Sequence, residues 1–192
     1  MIKQLVSLTA LALTALPASA LAQAGNSSTG TVAVDGRVAP ICILGGPNPA
    51  LVDLGVMIAT SGNRAGRIAV LPARSVSLPA SHCNFAGSRV TVTANALLAA
   101  NAAAPAAGFA RAVNYTATAA GWAAANAATT TAATANGSSA SSIGNGGSHP
   151  LPKLADIGVT LSAFSVPGDA LLVPGNYSGT VTVTLGPAAV AD

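Results

Sequence analysis

The chain has 192 residues, of which 51% are hydrophobic, 7% are charged and 3% are aromatic, and its formal net charge is +3. Typical soluble domains carry about 25% charged residues, so this composition excludes disorder driven by charge repulsion and excludes a coiled coil. The eight basic residues are scattered, which argues against a nucleic-acid-binding face, and the length favours one domain.

The first 22 residues have the pattern of a secretory signal peptide. Lys3 precedes a mostly apolar run over 5–16, and an Ala-Leu-Ala cleavage sequence stands at 20–22. The apolar run is shorter than the ~20 residues that a membrane-spanning helix needs. We therefore expect residues 1–22 to be removed on export, and residues 23–30 to form a flexible N-terminal extension.

Two cysteines, Cys42 and Cys83, are the only ones in the sequence. An exported chain meets an oxidising compartment, so a disulfide between them is expected. A metal site or a thiol nucleophile that uses His82 or His149 is the alternative. The sequence contains no Cys-x-x-Cys pair, and His82, adjacent to Cys83, would face the other side of a strand.

Alternation of apolar and polar residues predicts strands along the first half of the chain. Within 31–44 the even positions carry Val32, Val34, Val38 and Cys42, whereas the odd positions include Thr31, Asp35 and Arg37, so the even face is expected to point inward. Within 88–94, Val90 and Val92 are expected to face inward. The strands predicted in this half are 31–44, 67–71, 74–78, 81–85 and 88–94.

The second half alternates strand patterns with alanine-rich stretches. Alanine favours a helical turn or two over 95–107, and the strands predicted in this half are 111–119, 154–164 and 176–185. The low-complexity stretch 123–150 is expected to be a long loop, with a helix over 123–135 as the alternative. We expect one all-β antiparallel sandwich over 31–187, followed by a tail at 188–192.

Several segments resemble chaperone–usher fimbrial (pilin) subunits and their spore-coat-U-like relatives. The sequence Gly-Thr-Val-Ala-Val-Asp-Gly-Arg-Val at 30–38, followed by Cys42, resembles their first strand. The pair Cys83-Asn84 resembles their second cysteine, and 173–185 resembles their final strand. The resemblance implies an Ig-like sandwich that lacks one strand, which a periplasmic chaperone and then the next subunit supply by β-augmentation.

The same resemblance implies the function and the partners of the chain. It implies a non-enzymatic structural subunit of a bacterial surface fibre, a fimbria or pilus. The partners would be related subunits, the periplasmic chaperone and an outer-membrane usher, and the fibre would be displayed at the cell surface. The segment that donates a strand is left open, because residues 23–29 lack alternating bulky apolar side chains.

Two other classes of function are alternatives to the fibre subunit. A monomeric surface adhesin or glycan-binding sandwich would use Tyr115 and Trp122 as a stacking platform for a sugar, although both residues could instead fill the core. An exported hydrolase is the third class, but no catalytic elbow, phosphate loop or dinucleotide fingerprint occurs. No catalytic residue, metal or cofactor is therefore predicted.

Overall fold

The computed structural model describes residues 27–100, 103–138 and 141–188. The predicted signal peptide lies outside these residues, as does nearly all of the expected tail. The chain separates into two compact units, 1–37 and 38–192, which we describe individually. In the first unit, the described residues 27–37 form no helix or strand and are exposed.

The strand predicted over 31–44 is wrong for most of its length. Val32, Val34 and Val38 are 83%, 89% and 86% exposed, and regular pairing begins only at Cys42. Alternation shows which side chains a strand would bury, but a strand forms only where its backbone groups find a partner edge. We call residues 31–41 the N-terminal arm.

The described part of the second unit is built from strands, with a long link over 44–73 between the first two, so the expected all-β fold with one disulfide is confirmed. Two 3-10 turns, Gly62–Arg64 and Pro167–Asp169, lie in the links. The strands are β1 (Cys42–Ile43), β2 (Arg74–Cys83), β3 (Ser88–Ala94), β4 (Leu97–Ala99), β5 (Phe109–Ala110), β6 (Ala112–Ala120), β7 (Ala127–Thr130), β8 (Ser142–His149), β9 (Lys153–Ser165), β10 (Leu171–Leu172), β11 (Tyr177–Ser178) and β12 (Val181–Pro187).

The strands form one curled half-barrel sheet, one three-stranded sheet and one small parallel pair. The curled sheet has the order β1-β2-β9-β6-β4-β11, with β7 also paired to β6, and all its pairings are antiparallel. The second sheet has the antiparallel order β12-β3-β8, and β10 pairs with β5 in parallel. The two larger sheets enclose the main core between them.

The core contains the side chains that alternation placed on the inner faces. Val90 and Val92 of β3 are buried, as predicted, and they belong to one cluster with Ile157 of β9 and Ala117 of β6. The predicted strand 88–94 matches the bounds of β3. Alternation is reliable here because both faces of β3 differ sharply in polarity.

Where strands change partners, the sequence pattern does not show it. The predicted strand 176–185 is divided into β11 and β12, because β11 pairs with β4 in the curled sheet and β12 pairs with β3 in the other sheet. The predicted pieces 74–78 and 81–85 are largely one strand, β2, whose register shifts between Leu78 and Ser81. The piece predicted over 67–71 forms only an isolated bridge, between Ile68 and Ile58.

The two cysteines form a disulfide, as predicted. Cys42 of β1 stands directly opposite Cys83 of β2, and Cys83 is 2% exposed within the main core. Both sulfurs are used in this bond, so neither is a metal ligand or a nucleophile in this state. The bond holds the short β1 against the much longer β2.

The low-complexity stretch does not form the long loop that its composition suggested. It contains β7 and β8, and Ala127 is buried in the main core. The small residues allow the backbones to approach closely: a Cβ atom added to Gly144 would lie 1.9 Å from the carbonyl oxygen of Ala128. The helical turn expected in 95–107 is likewise replaced by a strand, β4, in that segment.

Tyr177 forms a corner that the sequence pattern did not indicate. Its hydroxyl donates a hydrogen bond to the carbonyl oxygen of Val173, four residues earlier, at 2.8 Å. A tyrosine bonded in this way at the entry to a late strand is typical of Greek-key sandwiches. Burial raises the pKa of Tyr177, and the nearby positive charge of Arg111 partly offsets that rise.

Candidate functional site

An apolar groove of about 510 Å³ opens beside β12 in the second unit. Its lining comes from β2, β4, β6, β9 and β12 and from the links between β1 and β2 and between β11 and β12, and none of the lining side chains is charged. The strand residues that carry the argument are Val76 and Leu78 of β2, Val159 and Leu161 of β9, and Val181 and Val183 of β12. The groove therefore reaches the main core from the surface.

The strand at this groove, β12, has one open edge within the described residues. β12 pairs with β3 over its whole length and with no second strand. An edge strand presents a row of N–H and C=O groups that can pair with another chain. Natural proteins often protect such an edge with charges or proline, and β12 reads Val-Thr-Val-Thr-Leu-Gly-Pro, with no charge and with one proline at its end.

The core is incomplete where the groove lies. Val76, Leu161, Val181 and Val183 pack against the main core but remain partly exposed, whereas Val92, at the centre of the same core, is 0% exposed. Together with the open edge of β12, this arrangement provides both halves of a strand-binding site. The edge supplies backbone hydrogen-bonding groups, and the half-buried side chains supply apolar surface for alternate residues of an incoming strand.

The sequence of the N-terminal arm matches what such a site would accept. Its even positions include the three exposed valines at 32, 34 and 38, with Gly36 between them, and its odd positions include Asp35 and Arg37. In an extended conformation the valines would share one face, and both charges would lie on the other. Sequence reasoning found this parity but assigned it to a strand within the sandwich.

Tyr115 and Trp122, the candidate sugar-stacking residues, are buried. Each is 2% exposed and belongs to the main core, and Tyr115 of β6 also lines the groove. The Tyr115 hydroxyl donates to the carbonyl oxygen of Asn95 at 2.8 Å, and burial raises its pKa to about 12. The Trp122 Nε1–H donates to the hydroxyl of Ser88, which is consistent with the core-filling alternative.

An exposed ion-pair cluster lies elsewhere in the second unit. Arg64 donates to Asp169 at 2.8 Å, and Arg67 also contacts that carboxylate. The hydrogen bond from Arg64 holds the pKa of Asp169 below its usual value. The cluster joins residues 60–68, in the link between β1 and β2, to the 3-10 turn Pro167–Asp169. The two guanidinium groups and the carboxylate bind one another, so the cluster is a structural contact.

Within the described ranges, no three His, Cys, Asp or Glu side chains are grouped as a metal site would require. No helix in this part of the chain has the length and apolar character needed to cross a membrane. No family model matches the chain, and comparisons with curated proteins and with solved structures give no match.

Proposed function

We propose that the protein is a structural subunit of a surface fibre, and that its copies join by β-strand donation. The N-terminal arm of one copy would fill the groove of the next and pair with the open edge of β12. The observation that carries the proposal is the coexistence of an open apolar groove beside an unpaired strand and an arm whose exposed valines alternate with polar residues.

The N-terminal arm and β12 match in length, and burial of the arm's valines would stabilise their pairing. β12 has seven residues, and residues 32–38 of the arm are also seven, roughly 23 Å long at about 3.3 Å per residue. Burying a valine side chain stabilises a complex by about 1.5 kcal/mol or more, and the arm offers three. Asp35 and Arg37 would face solvent, so no charge would have to be buried.

The resemblance to chaperone–usher subunits supports the same proposal from the sequence. It adds that a periplasmic chaperone would cover the groove before assembly, that an outer-membrane usher would receive the subunit, and that the fibre would stand on the cell surface. The arm, and not the extension at 23–30, is then the donor. A glycan-binding module stays the alternative function; its candidate residues Tyr115 and Trp122 are both buried, and Tyr115 lines the groove.

A pair of matched variants tests the donor role of the arm. Val32→Asp/Val34→Asp places two charges on the valine face, and Thr31→Asp/Ala33→Asp places the same two charges on the opposite face. Light scattering after size-exclusion chromatography should show concentration-dependent assembly for the wild type and for the second variant. The first variant should remain monomeric.

A labelled peptide with the sequence of residues 31–41 tests the acceptor role of the groove. It should bind the monomeric Val32→Asp/Val34→Asp protein, whose own arm is defective. The same peptide carrying both aspartates should bind roughly 100-fold more weakly, since two valine burials are lost. A wild-type protein that stays monomeric at all concentrations, together with no peptide binding, would overturn the proposal.

A further inference from the structure

Asn84 binds the last residues of the N-terminal arm immediately before β1. Its Oδ1 accepts a hydrogen bond from the backbone N–H of Ile41 at 2.8 Å, and its Nδ2 donates to the carbonyl oxygen of Ala39 at 2.9 Å. Its own backbone N–H donates to the carbonyl oxygen of Ile41 at 3.1 Å. One residue therefore holds residues 39–41 by three hydrogen bonds.

The side-chain amide of Asn84 takes the place of a peptide group. The registered pairs of β1 and β2 end at Cys42 and Cys83, and beyond them one backbone bond, from the Asn84 N–H to the Ile41 carbonyl oxygen, continues the ladder. The return bond from the Ile41 N–H is accepted by the Asn84 side chain. Pro40 lies between the two bonded residues and has no N–H to donate, so the one acceptor and one donor of the amide satisfy the neighbouring groups at Ile41 and Ala39. The disulfide at Cys42 fixes the next residue.

This attachment matters because an arm competes for the groove of its own molecule. Leu44, three residues after the arm ends, already lines the groove. A segment tethered by so short a link has an effective concentration in the millimolar range, far above that of a second copy in dilute solution. Donation between copies therefore requires that the tether be unable to deliver the arm to its own groove.

We infer that Asn84 is a positioning residue that reserves the arm for a second copy of this chain. By holding residues 39–41 in one fixed path, it removes the freedom that the chain would need to reverse direction and enter its own groove. The inference rests on the proposed strand donation. It adds the reason why the arm pairs with a second copy and not with its own molecule. Loss of the Asn84 side chain converts a donor to the next subunit into a self-complemented monomer.

The variant Asn84→Ala in the full chain tests this role, with Asn145→Ala as the matched control. Asn145 of β8 is also exposed, and its side-chain oxygen accepts a hydrogen bond from Thr91 of β3 and not from residues 39–41. The control should assemble like the wild type. Asn84→Ala should be mainly monomeric and should bind the 31–41 peptide at least tenfold more weakly than the wild type. In this variant the backbone amides of residues 32–38 should be protected from hydrogen exchange, because the arm occupies its own groove.

These readouts separate positioning from simple destabilisation. A purely structural role would lower the urea midpoint and expose the arm, whereas self-insertion protects the arm and leaves the midpoint unchanged or higher. Adding Val32→Asp/Val34→Asp to Asn84→Ala should restore peptide binding, because the defective arm then leaves the groove open. Asn84→Asp is the second variant, for use if Asn84→Ala folds poorly. It keeps the acceptor for Ile41 and loses the donor to Ala39, so it should give a mixture of assembled protein and self-complemented monomer.

The outcomes separate the role of Asn84 from the proposed strand donation. If the wild type assembles and Asn84→Ala assembles equally well, with an unprotected arm, the role of Asn84 is overturned and strand donation stands. If the wild type neither assembles nor captures the peptide, strand donation itself falls, and this inference falls with it.

Discussion

The hydroxyl of Tyr177 donates a hydrogen bond to the carbonyl oxygen of Val173 at 2.8 Å, across the turn that leads into β11. The bond joins the link after β10 to the strand that completes one edge of the curled sheet. Directly after β11, the chain crosses into the other sheet as β12. The corner therefore lies immediately before the strand that borders the groove.

Tyr177→Phe should lower the free energy of unfolding by about 1 kcal/mol, because the variant loses the hydrogen bond but keeps the ring. Urea denaturation monitored by circular dichroism measures the change. Ser178→Ala removes a neighbouring exposed hydroxyl and should change the free energy by less than about 0.5 kcal/mol. Equal effects of the two variants would show that the corner contributes nothing.

Alkaline conditions should destabilise the protein through Tyr115. Its pKa is raised by burial to about 12, from 10.0, so the folded state holds the phenol proton where the unfolded state has lost it. The stabilisation is fully present below pH 10 and is lost as the pH rises through 12, at up to about 1.4 kcal/mol per pH unit.

Comparison of wild type with Tyr115→Phe between pH 8 and pH 11 isolates this effect. The stability of wild type should fall more steeply above pH 10 than that of the variant. Spectrophotometric titration of the phenols gives an independent check. Two curves that remain parallel over the whole range would contradict the assignment to Tyr115.

Removal of the disulfide should cost about 4 kcal/mol of stability. Cys42 and Cys83 are 41 residues apart, and the chain-entropy model gives that value for a loop of this length. Chemical denaturation of Cys42→Ala/Cys83→Ala, compared with the oxidised wild type, measures the loss. Thiol titration of the denatured wild type without reductant should find no free thiol, and two free thiols would refute the bond.

Gly144→Ala should destabilise the protein by about 1–3 kcal/mol through overpacking. The added methyl group would lie 1.9 Å from the carbonyl oxygen of Ala128, so the backbones of β7 and β8 would have to separate. Gly158→Ala is the matched control, because a Cβ atom there meets nothing within 4 Å. Thermal melts that are equally unaffected by both changes would contradict the close approach of β7 and β8.

The strands that sequence reasoning located well are those with a steady environment along their length. β3 alternates between buried and half-buried residues from end to end, and β6 and β9 are also close to their predicted bounds. Local alternation carries this information because each side chain in a strand faces the side opposite to its neighbours. The disulfide could be predicted because Cys42 and Cys83 are the only cysteines in the sequence.

Prediction failed where a segment depends on what lies opposite it. The stretch 123–150 is poor in large apolar residues, yet Gly144 and Ala128 let two strands pack through their backbones. Small residues resemble a loop in composition, and only the partner strand reveals that the space is filled. The arm shows the reverse case, because its alternation is that of a strand but its valines remain exposed.

By itself, the sequence determined the antiparallel all-β class, the inner faces of the long strands and the pairing of Cys42 with Cys83, because these depend on local alternation and on residue count. Only the tertiary structure decided which strands share a sheet, that β12 keeps an open edge, and that Asn84 holds residues 39–41. Those features arise from contacts between residues far apart in the chain, and no local pattern encodes them.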